Sequence, residues 1–229
     1  MERHFEQQIE ELKRQLLHMS GLSERIIRKA VTALQRRDAA LAAEVLAEDR
    51  AIDRLEIDIE ERCVNLLATQ QPLARDLRLI TSAIKISNDL ERIGDHAVNI
   101  AGCAQELARR PPVQPLADLE QMTESAVAML RDALDAFVRR DAEAARALCR
   151  RDDVVDALNR RLFGELLSRM VANPAEIEPS MTLVLVSRNL ERIGDLATNI
   201  AEEVVFIAEA RVIKHHAEDL AGRDEFGRS

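Results

Sequence analysis

A chain of 229 residues is long enough for one large domain or two of about 100 residues each. With 47% hydrophobic and 32% charged residues it can bury a core and stay in solution. A net charge of −9 excludes an electrostatic grip on nucleic acid, and aliphatic runs such as "LVLV" at 183–186 are far too short to span a bilayer.

There is no Trp, no Tyr and only five Phe, so the core must be made of Leu, Ile, Val and Ala, which suits helices packed on helices. Seven Gly and six Pro are too few for the many turns of an all-β fold. The N-terminal "MERHFEQQIEELKRQL" is charged and amphipathic and has no apolar signal core. Cys63, Cys103 and Cys149 are isolated and odd in number, with neither a disulfide framework nor a zinc pattern. The expected location is cytoplasmic.

In the first predicted helix Phe5, Ile9, Leu12, Leu16, Met19, Ile26, Ala30 and Leu34 recur mostly at three- and four-residue steps. The second runs from about 39 to 69 on Leu41, Val45, Ile52, Leu55, Ile59 and Leu66. A third starts near Pro72, a residue favoured in the first helical turn, and continues to about 108. "RRPPVQPL" at 109–116 reads as a linker. Helices of roughly 116–139, 142–171 and 178–210 follow, divided by "RRDAEA" and "ANPAEIEPS". The tail "KHHAEDLAGRDEFGRS" lacks an apolar stripe and is expected to fray. The expected fold is all-α, two tandem three-helix bundles with six long helices. The units are residues 1–110 and 116–212, followed by a polar tail at 213–229.

The halves are an internal duplication. "LERIGDHAVNIA" at 90–101 recurs as "LERIGDLATNIA" at 190–201, with ten of twelve residues identical. Repeated packing would keep the apolar positions, but it gives no reason to keep Glu91, Arg92, Asp95 and Asn99 as Glu191, Arg192, Asp195 and Asn199. Residues four apart share a helix face, so Glu91, Asp95 and Asn99 form one stripe. A lone ExxxD stripe is ordinarily a solvated face. Three features argue for more here. The like-charged pair occurs twice although it repels by roughly 0.2–0.5 kcal/mol. Gly94 and Gly194 sit mid-helix, each at a cost of about 1 kcal/mol relative to Ala. The second helix of each half also carries its own acidic pair, Asp49 with Asp53 and Asp152 with Asp156.

An antiparallel hairpin about residue 71 puts Asp49 level with position 93 and Asp53 level with 89. The same construction about 174 puts Asp152 level with 196 and Asp156 level with 192. Four carboxylates and an Asn amide at one height call for cations. Arg92, Arg192, Arg54 or Arg151 are candidates, and structural salt bridging is the simpler reading. The all-oxygen set also suits hard metal ions and carboxylate-bridged iron. Glu202 extends the second stripe, where the first has Gly102.

"DxxxD" on one helix and "ERIGDxAxNIA" on the next, both duplicated, resemble the PhoU family of phosphate-signalling regulators, over roughly residues 4–210. The resemblance implies two three-helix bundles and a multinuclear metal cluster in each repeat, of iron, manganese or zinc, with magnesium as a further candidate. Carried over by position, the first site would use Asp49, Asp53, Glu91, Asp95 and Asn99. The second would use Asp152, Asp156, Glu191, Asp195, Asn199 and Glu202. It also implies a cytoplasmic negative regulator of phosphate uptake and of the phosphate-starvation response. Such a regulator links the ATPase subunit of a phosphate ABC transporter to a sensor histidine kinase and meets the membrane only through those partners.

One alternative is a metal-free helical interaction module. A carboxylate-bridged di-iron enzyme fits worse, because that chemistry pairs Glu with a His three residues on, and Gly94 and Gly194 stand there instead. His96 is not repeated, and no nucleophile set or phosphate loop is present, so no enzymatic activity is expected. Arg75, Arg78 and Lys85 form a small basic set without counterparts in the second half. Long amphipathic helices with apolar surface to spare point to a homodimer.

Overall fold

The computed structural model describes residues 2–111 and 116–213. Pro112, Pro115, His215, His216 and most of the tail lie outside the described residues. Among those described there is no strand. The helices are α1 (Glu2–Arg36), α2 (Ala39–Gln70), α3 (Ala74–Ala108), α4 (Ala117–Arg139), α5 (Ala142–Cys149), α6 (Asp152–Ala172) and α7 (Ile177–Glu209), with a 3-10 turn at Pro174–Glu176 before α7. The all-α plan of two tandem three-helix bundles is therefore observed.

The duplication extends to the turns. Arg37 and Arg140 both take the left-handed conformation, at φ 56. Asp38 then caps α2 through Ala40 N and Leu41 N, and Asp141 caps α5 through Ala144 N. An Asp at this position accepts backbone donors that a helix start leaves unpaired. "RRDAA" and "RRDAEA" are thus the same punctuation used twice.

One difference from expectation concerns the fifth predicted helix, which is interrupted. Arg151 N bonds Leu148 O (2.8 Å) and Val154 N bonds Arg151 O (3.0 Å), so three-residue turns replace the α-helical ladder for one step. The equivalent stretch of α2 is continuous. The break makes Asp152 the first residue of α6, with Asp152 and Asp153 in its opening turn, where the helix dipole favours acid. Ile213 differs from the expected tail as well, because it is buried.

The core is aliphatic, as composition requires: Leu12, Leu16, Met19, Ile26, Ile52, Ile59, Leu90, Ile93, Leu130, Leu162, Leu190 and Ile193 are all fully buried. The two halves pack through α3 and α7, which run antiparallel. Ser82 meets Glu203 at one end, His96 meets Asn189 in the middle and Glu106 meets Thr182 at the other end. Both ends use a hydroxyl against a carboxylate, in keeping with a pseudo-two-fold between the halves. Arg28 of α1 reaches Glu124 of α4 at 2.6 Å, and Arg131 of α4 bonds Glu24 of α1.

Candidate metal centres

The hairpin register predicted from turn positions is met to within one residue in the first half, where Asp49 faces Gly94 rather than 93, and to within two in the second, where Asp152 faces Gly194 rather than 196. Asp49 of α2 lies over Gly94 of α3, so close that a Cβ on Gly94 would stand 2.5 Å from Asp49 Oδ1. In the second half a Cβ on Gly194 would stand 3.3 Å from Asp152 Oδ1. What the mid-helix glycines admit is therefore a carboxylate of the neighbouring helix. Asp49 Oδ1 and Asp152 Oδ1 are both buried and accept no hydrogen bond. A buried carboxylate oxygen without a donor costs on the order of 1–3 kcal/mol or more, and the cost is incurred at the same place twice.

The electrostatics agree with the geometry. Burial pushes Asp49 up to about 6, with Asp53 and Asp95 adding repulsion. Asp152 also rises to about 6, through burial and then the charges of Asp195 and Asp156. Glu91 is raised by burial and then by Asp95, Glu56, Asp53 and Asp49. Glu191 is raised by burial and then by Asp195, with Arg192 and Arg188 opposing. Asp49, Asp53, Glu91 and Asp95 in the first half, and Asp152, Asp156, Glu191 and Asp195 in the second, thus form a mutually repelling set across two helices. Asp53, Asp95, Asn99 and Asn199 are exposed, while Asp156, Asp195 and Glu202 are half-buried.

The side chains stand in ranks rather than in a closed cage. Among the described residues no three His, Cys, Asp or Glu are close enough together to hold one ion. Like charges on adjacent turns splay apart, and Arg192 draws Asp195 to itself at 2.7 Å. Two of the other arginines considered as neutralisers point elsewhere: Arg92 leans on Asp89 at 3.6 Å, and Arg151 bonds Asp132. Neither quenches its centre, so salt bridging leaves both orphaned oxygens unexplained. An all-oxygen donor set with one buried, unpartnered carboxylate oxygen per half is of the chemical type that suits a hard cation, although the described side chains as they stand do not close around one.

The sequence reading missed Glu56, which the charge on Glu91 feels directly. The signal was present, since Asp49, Asp53, Glu56 and Glu60 follow one another at steps of four, three and four along one face of α2. Asn199 and Glu202 stand between two clefts, one beside the second centre with Asp152 and Asp195 and one towards the first half with Glu56, Glu60 and Asp89. The first of these, of about 530 Å³, opens between Asp152, Asp195, Arg146, Arg150 and Arg92. His96 lies at its edge and bonds Asn189 Oδ1 at 2.8 Å, which accounts for it without a ligand role. Lys85, from the basic set on α3, holds Glu203 at 2.8 Å.

The two glycines should answer differently to alanine. Gly194→Ala needs a shift of only a few tenths of an ångström and should gain up to about 1 kcal/mol of helix propensity. Gly94→Ala must first drive Asp49 into another rotamer, so its gain should be smaller. Thermal melts in the presence of chelator would read both, and Asp49→Ala combined with Gly94→Ala should restore the missing gain.

Comparison with known proteins gives one family throughout. The PhoU domain model matches residues 16–104 and 119–204. A phosphate-specific transport system accessory protein PhoU homolog from Aquifex aeolicus is 40% identical over 208 residues, 91% of this chain and 94% of that protein. The phosphate-specific transport system accessory protein PhoU of Serratia marcescens is 34% identical over 94% of this chain and 88% of its own length. The crystal structure of PhoU from Pseudomonas aeruginosa superposes with a TM-score of 0.87 at 37% identity, covering 90% of this chain and all of that one. The phosphate transport system regulatory protein PhoU from Streptococcus pneumoniae gives a TM-score of 0.86 at 28% identity, over 92% of this chain and 99% of that one. A doubled family match laid over a doubled fold and a doubled carboxylate rank places this chain in the PhoU domain family.

Proposed function

We propose that this protein is an accessory regulator of a phosphate-specific transport system, and that it binds metal ions in two carboxylate centres and catalyses no reaction of its own. The observation that carries the metal reading is the repeated placement of Asp49 over Gly94 and Asp152 over Gly194, each with an orphaned buried oxygen. Asp49, Asp53, Glu91, Asp95 and Asn99 would hold the first group, with Glu56 alongside. Asp152, Asp156, Glu191, Asp195, Asn199 and Glu202 would hold the second. Iron, manganese or zinc are the proposed metals, with magnesium as a further candidate. Bound cations would supply charge neutralisation and crosslink neighbouring helices, α2 to α3 and α6 to α7.

The regulatory reading rests on family membership. No described helix is long and apolar enough to cross a membrane, so the protein would work at the cytoplasmic face through partners. Those partners are the transporter's ATPase subunit and a phosphate-sensing histidine kinase, whose starvation response it would hold off. Deleting the gene should raise phosphate-starvation transcripts in phosphate-rich medium, and unchanged transcripts would remove this reading. A metal-free interaction module is the second reading, favoured by the open spacing of the carboxylates.

A further inference from the structure

The cleft of about 530 Å³ beside the second centre gathers cations as well as acids. Arg92 reaches it from α3, Arg146 and Arg150 from the end of α5, and Arg192 from α7. Four guanidiniums drawn from both halves thus converge on one cavity, in a chain whose net charge is −9. Like charges repel, so the gathering is unfavourable unless carboxylates or a bound anion offset it. Asp152, Asp195 and Glu202 line the same cleft. Arg192 is drawn to Asp195 at 2.7 Å, and Arg146 holds Glu209 at 2.5 and 2.9 Å. Arg92 has a loose contact with Asp89, at 3.6 Å, and Arg150 is exposed.

The fold does not require this set. Counted from the matching caps Asp38 and Asp141, Arg146 and Arg150 correspond to Ala43 and Ala47 of α2. Glu202 corresponds likewise to Gly102 of α3. The first half forms its helices and buries its core without these side chains, so packing does not account for them. The break between α5 and α6 falls in this wall too, at Cys149, Arg150 and Asp152, where α2 runs on unbroken.

We infer that this cleft binds hydrogen phosphate, with Arg92, Arg146 and Arg150 holding its oxygens and Glu202 accepting a hydrogen bond from its P–OH. A guanidinium presents a planar fork of N–H donors that suits a tetrahedral oxyanion. Its five donors let Arg146 serve an anion while Glu209 fixes it in place. The acids of the wall select among oxyanions. Hydrogen phosphate carries an O–H that a carboxylate accepts, whereas sulfate offers acceptors alone and would face the carboxylate with nothing to give it. Asp195 is held by Arg192 and Asp152 is packed over Gly194, so Glu202 is the acid assigned to the P–OH. Among the described residues no aromatic ring lines the cleft, and a nucleotide base would find nothing to stack on. The anion would tie α3 of the first half to α5 of the second, so phosphate would bias how the halves fit together. That regulatory meaning rests on the accessory role proposed for the chain, whereas the binding itself does not.

Isothermal titration calorimetry on the full chain, freed of metal by chelator and dialysis, tests it. Inorganic phosphate should bind once per chain with a submillimolar dissociation constant, and sulfate at least about tenfold more weakly. Arg150→Ala and Arg92→Ala should each weaken phosphate binding at least about tenfold, the loss of one charge-assisted hydrogen bond. Arg14→Ala, the same charge change on α1 outside the cleft, should leave binding unaltered, with circular dichroism to show that each variant is folded. Glu202→Gln should narrow the preference for phosphate over sulfate. Absence of phosphate binding, binding indifferent to Arg150→Ala and Arg92→Ala, or sulfate bound as tightly as phosphate overturns the inference. So does binding seen only after loading with manganese, which assigns the anion to the metal. AMP bound more than about tenfold tighter than phosphate overturns it as well and gives the cleft to a nucleotide. Unchanged starvation transcripts on gene deletion would remove the regulatory role and leave phosphate binding standing.

Discussion

Protein carrying Asp49→Ala and Asp152→Ala is expected to lose most of its metal, read by elemental analysis of untagged preparations, and to melt at a higher temperature than the wild type when both are metal-free. The two effects have one cause. Each aspartate places a carboxylate oxygen where no protein donor reaches it and where burial and neighbouring acids resist its charge. A cation turns that liability into a ligand; without one, alanine removes it. The pH dependence follows from linkage. The folded-state value of about 6 lies above the ordinary 3.8, so the folded state takes up protons more readily than the unfolded one. These two residues therefore stabilise the metal-free protein below pH 4, and that contribution is lost as pH rises through 4 to 6. Metal-free wild type should melt higher at pH 5 than at pH 7, and the double variant should show a smaller difference. The helical fold should survive in the variant. No metal in the wild type after incubation with iron, manganese and zinc would leave the ranks of acid as a protein-contact surface.

The second large effect is expected at Glu203, in the seam between the halves. Its carboxylate is 7% exposed and accepts from Ser82 Oγ at 2.7 Å and Lys85 Nζ at 2.8 Å, both on α3. Lys85 also lies over the Phe206 ring, 5.6 Å from its centre. Glu203→Ala removes two hydrogen bonds, one charge-assisted, and strands the fully buried Ser82 hydroxyl. The expected cost is about 2–4 kcal/mol, held to that range because Lys85 is half exposed and can turn to water. Glu203→Gln should recover part of it by keeping the bond to Ser82. Denaturant unfolding measures both, and a cost for Glu203→Ala well under 1 kcal/mol would show that the seam is held by apolar packing alone. The equivalent residue in the first half is Cys103, and Thr182 meets Glu106 instead, so the pseudo-two-fold repeats the hydroxyl–carboxylate pairing but not this buried glutamate.

The residues that escaped the sequence reading share a property. Glu203 was passed over for its neighbour Glu202, which continues the acidic stripe, because nothing in helical period says which face of α7 will meet α3. Glu56 was legible in the spacing of α2 but carries no counterpart in the second half, where Asn159 stands, so a search guided by repetition skipped it. The break at Arg150 and Arg151 was hidden because the apolar pattern continues across it, from Ala145 and Leu148 to Val155 and Leu158, all buried. The acids Asp152 and Asp153 just after it were the available sign of a helix start.

What the sequence by itself determined is the helical segments apart from the break at 150–151, the places where the chain turns, the duplication, and, to within two residues, the height at which Asp49 and Asp152 meet the neighbouring helix. These follow from period and chain length, because a helix advances a fixed distance per residue and a short turn sets the register of the hairpin that follows. Only the tertiary structure decided which carboxylates are buried, that Arg92 and Arg151 turn away from the centres, that Glu203 ties the halves together, and that arginines of both halves line one cleft. Those outcomes depend on how α3 and α7 are rotated and crossed against each other. That arrangement is set by side-chain packing summed over the whole interface, and no local stretch of sequence carries it.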